Sequence, residues 1–274
     1  MPEPLEPTPR ASVSVCIATY RGEKFVAEQI SSILDQLGPR DELVIVDDAS
    51  PDRTLEVIRG FTDARITVIE QPSNQGYVRT FERALSQATG EYLLLADQDD
   101  LWAPGRVDQL CAALEHADVV ASNLDLLGVD ANGQAASTGR PIQGPLGIRE
   151  WRLPRVGKRA PLRNVFGVTL GIMPYFGCAM GVRRSFADTV LPFPAWLHES
   201  HDLWIAICGN LAGSMTHLEC VSTYRRLHDD NTSPSKPRSL PMVLRSRLLV
   251  FRMIREARRR RSLHNEHLTP KAGK

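Results

Sequence analysis

Apolar and polar positions change their period along the chain. Residues 12–19 form a short apolar run rich in β-branched side chains, the pattern of a strand buried on both faces. After it, Phe25, Val26, Ile30, Ile33, Leu34 and Leu37 recur at helical spacing. A second buried run, residues 42–46, ends in Asp47-Asp48. Ser50-Pro51-Asp52 then reads as a helix start, a capping hydroxyl followed by proline in the first turn. Residues 66–69, 91–96 and 119–122 read as further strands, and residues 77–88 and 104–116 as helices. Strand and helix alternate with short connections. That predicts right-handed βαβ units, hence an α/β fold with a mostly parallel, Rossmann-like central sheet flanked by helices.

The second half is less regular. Residues 128–158 are rich in Gly, Pro and Arg and read as a long excursion; residues 176–182 and 216–227 read as strands, 203–211 as a helix and 229–238 as a loop. Residues 240–261 read as a long amphipathic helix. Leu240, Val243, Leu244, Leu248, Phe251 and Ile254 form an apolar stripe, flanked by Arg245, Arg247, Arg252 and Arg255. That pattern predicts a helix lying on an anionic membrane surface. The alternative is that the stripe packs on the domain and leaves the arginines solvated.

Charge sharpens this picture. The net charge is only +1, yet residues 238–261 hold nine arginines and one acid, Glu256. The basic residues do not interleave with aromatics, which argues against a nucleic-acid partner. The five cysteines have no C-x-x-C spacing and read as small buried hydrophobes of a reducing compartment. Residues 1–11 are proline-rich and read as a disordered tail without the apolar core of a signal peptide. No apolar run approaches the roughly 20 residues that span a bilayer. The expected location is therefore cytoplasmic, with peripheral attachment to the inner face of the cytoplasmic membrane through the last helix.

Polar residues gather just after the first, second and fourth strands, where open α/β sheets bind ligands. Asp97-Gln98-Asp99-Asp100 ends a buried strand. Carboxylates this close repel one another, and a divalent cation bridging to a diphosphate relieves the repulsion. The plainer reading is an acidic turn capping the next helix. Asp47-Asp48 would line the same edge, or cap a helix with Ser50 and Asp52. Thr19-Tyr20-Arg21-Gly22 lies where a base would sit, or is a simple turn. Asn74-Gln75-Gly76 adds a loop, and Arg79 a cation that is otherwise a solvated helix residue. His198-Glu199-Ser200-His201 is one residue short of H-E-x-x-H, against a zinc site. No Gly-rich phosphate loop follows the first strand and no G-x-G-x-x-G opens the first helix, against nucleotidylyltransferases and dinucleotide dehydrogenases.

Several strings in order resemble a known family. They are residues 15–37, Val44-Ile45-Val46-Asp47-Asp48-Ala49-Ser50, Asn74-x-Gly76, Gly90-Glu91-Tyr92, Asp97-x-Asp99-Asp100-x-Trp102, His201-Asp202-x-Trp204 and Tyr224-Arg225-x-x-His228-x-Asp230-Asn231-Thr232-Ser233. Together they look like the family 2 glycosyltransferases of GT-A fold, most like the bacterial rhamnosyltransferase type. The resemblance implies a GT-A domain over residues 12–237, with a nucleotide-binding half (12–123) and an acceptor-binding half (124–237), then a basic helix and tail (238–274). It implies that Thr19 and Asp48 hold the base, that Asp97 faces the ribose, that Asp99 and less directly His228 hold a divalent cation (Mn2+ or Mg2+), and that Asp202 takes the acceptor proton. Tyr20, Glu23, Asn74 and Arg79 join the nucleotide-sugar candidates. The implied reaction is inverting transfer of a sugar, rhamnose among the candidates, from a dTDP- or UDP-sugar to a surface glycan or lipid-linked acceptor. The alternative outside catalysis is a nucleotide-sugar-binding scaffold of a polysaccharide assembly. Arg21 stands where the family usually has Asn, and His201 where it more often has Glu.

Overall fold

The computed structural model describes residues 10–130, 132–154, 160–228 and 240–268, with side chains omitted at 146, 240 and 263–268. The expected loop at 229–238 and most of the expected tail at 1–11 therefore lie outside the described residues. Arg10 and Ala11, assigned to that tail, belong instead to the domain. The Arg10 guanidinium donates to Asp41 through two bonds, at 2.9 and 2.5 Å, and Ala11 packs on the core.

Four strands carry the first half: β1 (Val13–Thr19), β2 (Glu42–Asp47), β3 (Ile66–Glu70) and β4 (Tyr92–Asp97). They are parallel, in the order β3-β2-β1-β4. The helices between them are α1 (Val26–Leu34), α2 (Thr54–Arg59) and α3 (Tyr77–Gln87). Burial on both faces explains the continuous apolar runs. Val13, Val15 and Ile17 of β1 face α1 and the helix α4 (Arg106–Leu114), while Cys16 faces α3. The helix predicted from Ser50 starts later, at Thr54, because the Ser50 hydroxyl is engaged elsewhere, donating to Asp47 at 2.6 Å.

Beyond β4 the sheet becomes mixed. The remaining strands are β5 (Leu101–Trp102), β6 (Val119–Val129), β7 (Ala135–Pro141), β8 (Met180–Arg183) and β9 (Met215–Arg225). The order continues β4-β8-β6-β9-β5, with β7 paired to β6. β8 runs antiparallel to both β4 and β6, and only β6 and β9 pair in parallel. The parallel pairing of the mostly parallel sheet expected from the sequence thus lies in the first four strands and in the β6–β9 pair. The long excursion contains the β6–β7 hairpin, and β6 crosses the expected boundary at 123/124 without a break.

Helices α5 (Ala160–Leu170), α6 (Arg184–Val190), α7 (His201–Ala212) and α8 (Leu240–Leu268) complete the fold. α7 touches both α5 and α8 and lies largely buried. The expected stripe on α8 is divided. Ile254 is buried with Val250, Met253 and Ala257, whereas Leu244, Leu248 and Phe251 are exposed. The middle of the helix, from Leu249 to Ala257, packs on the domain core, while these three side chains on its first half face solvent.

Candidate active site at the strand ends

At the end of β1, the Thr19 hydroxyl donates to Asp47 at 2.9 Å. Ser50 donates to the same carboxylate through its backbone N–H and its hydroxyl, at 2.8 and 2.6 Å. Asp48 is buried and accepts from Gln71 Nε2 (2.7 Å), the Gln75 N–H (2.6 Å) and the Gly76 N–H (2.8 Å). Gly76 takes φ +82° to turn the chain into α3, a conformation that L side chains rarely adopt. The Asp48 carboxylate therefore organises the 71–76 loop. Glu23 accepts from the Arg53 N–H at 3.0 Å, and Asn74 is exposed.

Gln98 joins the β1 and β4 ends. Its amide accepts from the Tyr20 N–H and donates to the Tyr20 carbonyl, both at 2.9 Å. The Tyr20 ring is left exposed, with the Arg21 guanidinium 5.3 Å from its centroid. The sequence gives Arg79 a different partner from the one it has here. Its guanidinium donates to the carbonyls of Phe193, Pro194 and Leu197 and to Glu82. Arg79 braces the segment leading into α7.

The end of β4 is poorer in donors. Asp100 is buried; one carboxylate oxygen accepts from the Arg226 N–H at 3.1 Å, and the other has no hydrogen-bond partner among the described residues. Asp99 bonds His228 Nε2 at 2.7 Å, and His228 lies against the Phe25 ring at 4.8 Å. Burial pushes the pKa values of Asp97 and Asp100 up, and repulsion among Asp97, Asp99 and Asp100 pushes them further; Arg225 opposes both effects. Ligand atoms of Asp97, Asp100 and Cys178 lie within 4.8 Å of one another. This is a different set from the expected pair Asp99 and His228, which are bonded to each other. Two carboxylates suit a hard divalent cation, while the Cys178 thiol beside them is a softer donor.

Asp202 opens α7. It accepts from the Leu203 N–H at 2.7 Å and feels the backbone of Gly177. Burial raises its pKa to about 6. The charge of Asp202 also raises the pKa of Asp97, so the two carboxyls lie near enough to repel. The Gly177–Cys178 turn stands between them. A Cβ at Gly177 would approach His201 Nε2 to 3.0 Å and Asp202 Cβ to 3.6 Å. That close approach turns the first part of the predicted strand at 176–182 into a single helical turn before β8.

His201 itself is enclosed. It stacks on Phe81 at 4.4 Å, and burial lowers its pKa to about 3, so the ring is neutral. His198 is exposed, so the two histidines do not share a metal site. The sequence reading placed Asp100 in the acidic string at the end of β4 without a role of its own, and it did not single out Cys178 or Gly177 for this site. A lone cysteine in an apolar run looks like core, and only the fold brings it to the aspartates.

Comparison with known proteins gives the family and the fold. Residues 14–191 match the family model described as glycosyl transferase family 2. An uncharacterized glycosyltransferase of Nostoc is 34 % identical over 81 % of this chain and 67 % of its own length. The Escherichia coli protein WfgD, named as a UDP-Glc:alpha-D-GlcNAc-diphosphoundecaprenol beta-1,3-glucosyltransferase, is 30 % identical over 35 % of this chain and 38 % of its own. Several curated relatives match over only about two-fifths of their length. The crystal structure of S. aureus TarS 1-349 in complex with UDP-GlcNAc superposes with a TM-score of 0.60 at 19 % identity, over 91 % of this chain and 72 % of that one. The fold is thus that of the GT-A glycosyltransferases, and the chain belongs to glycosyl transferase family 2.

Proposed function

We propose that the chain is a cation-dependent inverting glycosyltransferase that moves a sugar from a nucleoside-diphosphate donor to an acceptor hydroxyl. One observation supports the reading: the Gly177–Cys178 turn lies beside Asp202 of α7 on one side and beside Asp97 and Asp100 of the β4 end on the other. Asp97, Asp99 and Asp100 would hold the cation (Mn2+ or Mg2+), which when bound supplies Lewis-acid neutralisation of the diphosphate. The unpartnered Asp100 oxygen supports that fit.

In the reaction, Asp202 takes the proton of the acceptor hydroxyl as its oxygen attacks the anomeric carbon. The bond from that carbon to the diphosphate oxygen breaks, and its electron pair leaves with the diphosphate. A single displacement of this kind inverts the anomeric centre. Tyr20, with its exposed ring, suits stacking on the base, and Thr19, Glu23, Asp48 and Asn74 shape the surrounding loops. Arg79 has no part in this reading.

A dTDP- or UDP-sugar is the proposed donor. UDP-GlcNAc in the TarS complex and UDP-Glc in the name of WfgD support it, while rhamnose rests on the sequence resemblance alone. A lipid-linked glycan is the proposed acceptor, after the diphosphoundecaprenol in the name of WfgD, with the enzyme on the inner membrane face. The test is donor hydrolysis by the full chain over a panel of nucleotide sugars, with manganese, magnesium or chelator. At least one donor should be hydrolysed only with cation. Full turnover in excess chelator overturns the cation dependence, and no turnover or binding of any donor overturns the reading.

A further inference from the structure

The helical layer that carries Asp202 has an outward side of its own. α5 and α8 touch each other as well as α7. Asn164 of α5 donates to Asn210 of α7 at 2.8 Å. Arg247 of α8 donates to the carbonyls of Val168 (3.3 Å) and Leu170 (2.9 Å), at the end of α5. These bonds fasten α5 and α8 into one surface.

That surface is apolar where it faces solvent. Leu162, Phe166 and Leu170 on α5 are 76, 63 and 48 % exposed, and their spacing of four puts them on one stripe. Leu244, Leu248 and Phe251 on α8 are 64, 70 and 58 % exposed and form a second stripe. The inward sides of both helices are occupied: Val168 of α5, and Val250, Met253 and Ile254 of α8, are buried in the core. The exposed stripes are therefore not core residues seen from the side. Apolar surface on this scale marks an interaction site on a folded protein.

Charge identifies the partner. Residues 160–175 and 240–255 contain no Asp or Glu and carry Arg163, Arg245, Arg247, Arg252 and Arg255. Arg245, Arg252 and Arg255 are exposed beside the apolar stripe. A second copy docked symmetrically on this face would set these cations against themselves. An anionic bilayer offers both complements, headgroup charge for the arginines and acyl chains for the leucines and phenylalanines. Among the described residues, no helix is long and apolar enough to cross a membrane, so the contact is superficial.

We propose that α5 and the first half of α8 together form a face that docks on an anionic phospholipid surface. It extends the reading of a lipid-linked acceptor, because α7, which carries Asp202 at its start, packs directly on both docking helices. The surface itself is defined without the reaction, so its test reads binding and is independent of transfer.

The experiment sediments the full chain with vesicles of phosphatidylcholine, with and without phosphatidylglycerol, at low and high salt. Two double variants accompany the wild type: Phe166→Ser with Leu248→Ser, and Arg245→Glu with Arg255→Glu. Size-exclusion chromatography, thermal melting and donor hydrolysis are run on all three. The wild type should bind only the anionic vesicles and weaken with salt. Each double variant should lose binding by at least about tenfold with its Tm and donor hydrolysis unchanged. The proposal is overturned if the wild type ignores the vesicles, or if the variants bind as well as the wild type. It is equally overturned if the wild type is a dimer that the Phe166→Ser, Leu248→Ser variant splits. Binding with no hydrolysis of any donor would sink the transfer reading and leave the docking face standing.

Discussion

β2 and β4 flank β1 on either side, and each ends in a pair or more of aspartates. At the end of β2, Asp47 and Asp48 are surrounded by donors from Thr19, Ser50, Gln71, Gln75 and Gly76. At the end of β4, Asp97, Asp99 and Asp100 crowd one another, and an oxygen of Asp100 has no hydrogen-bond partner among the described residues. The first cluster is well supplied with hydrogen-bond donors, through which its carboxylates hold loops. The second repels itself, which leaves it ready for a positively charged ligand. Similar strand ends thus serve structure at one edge and, in the reading above, chemistry at the other.

The largest expected effect extends the chemical side of that contrast to Asp202. Asp202→Asn should lower turnover about a thousandfold, the scale of a lost general base. Thermal melting should show no loss of stability, because the substitution removes a buried carboxylate whose pKa is already raised. A fall in Tm alongside the fall in turnover would move Asp202 to the structural side.

Asp48→Ala probes the other edge. It strands the Gln75 and Gly76 N–H groups and the Gln71 amide, so it should cost about 2–3 kcal/mol and lower Tm by roughly 5–10 °C. Normal stability with lost nucleotide affinity would instead make Asp48 a direct ligand of the base.

The smallest effect is a pH profile. The proposed base must be ionised, and burial holds the Asp202 pKa near 6. Turnover should therefore be full well above pH 6 and fall about tenfold per unit below it. The same raised pKa works against stability: the folded state gives up this proton only above about pH 6, so this group's contribution to stability falls as pH rises from about 4 to 6. A flat profile from pH 5 to 8 would remove Asp202 from the proton transfer.

The four parallel strands and the aspartates at their ends were legible because burial on both faces writes continuous apolar runs. Asp202 was legible only through the resemblance around His201-Asp202. α5 was not legible. Leu162, Phe166 and Leu170 face outward while Val168 faces inward, so apolar residues lie on both sides and the helical period is blurred. β5 and β8 were too short to carry a period of their own, and β8 enters the sheet antiparallel. Arg79 could not be placed either, because the carbonyls it binds lie more than a hundred residues further along the chain. Cys178 reads as a core residue until the fold sets it beside Asp97 and Asp100.

Calorimetric titration with a nucleoside-diphosphate sugar, with and without manganese, tests the central claim most directly. The proteins are the wild type, Asp99→Asn and Asp202→Asn. The account predicts cation-dependent binding of near-equal affinity in the wild type and Asp202→Asn, and loss of that binding in Asp99→Asn. Binding that is indifferent to the cation in the wild type, or that Asp99→Asn retains in full, would contradict it.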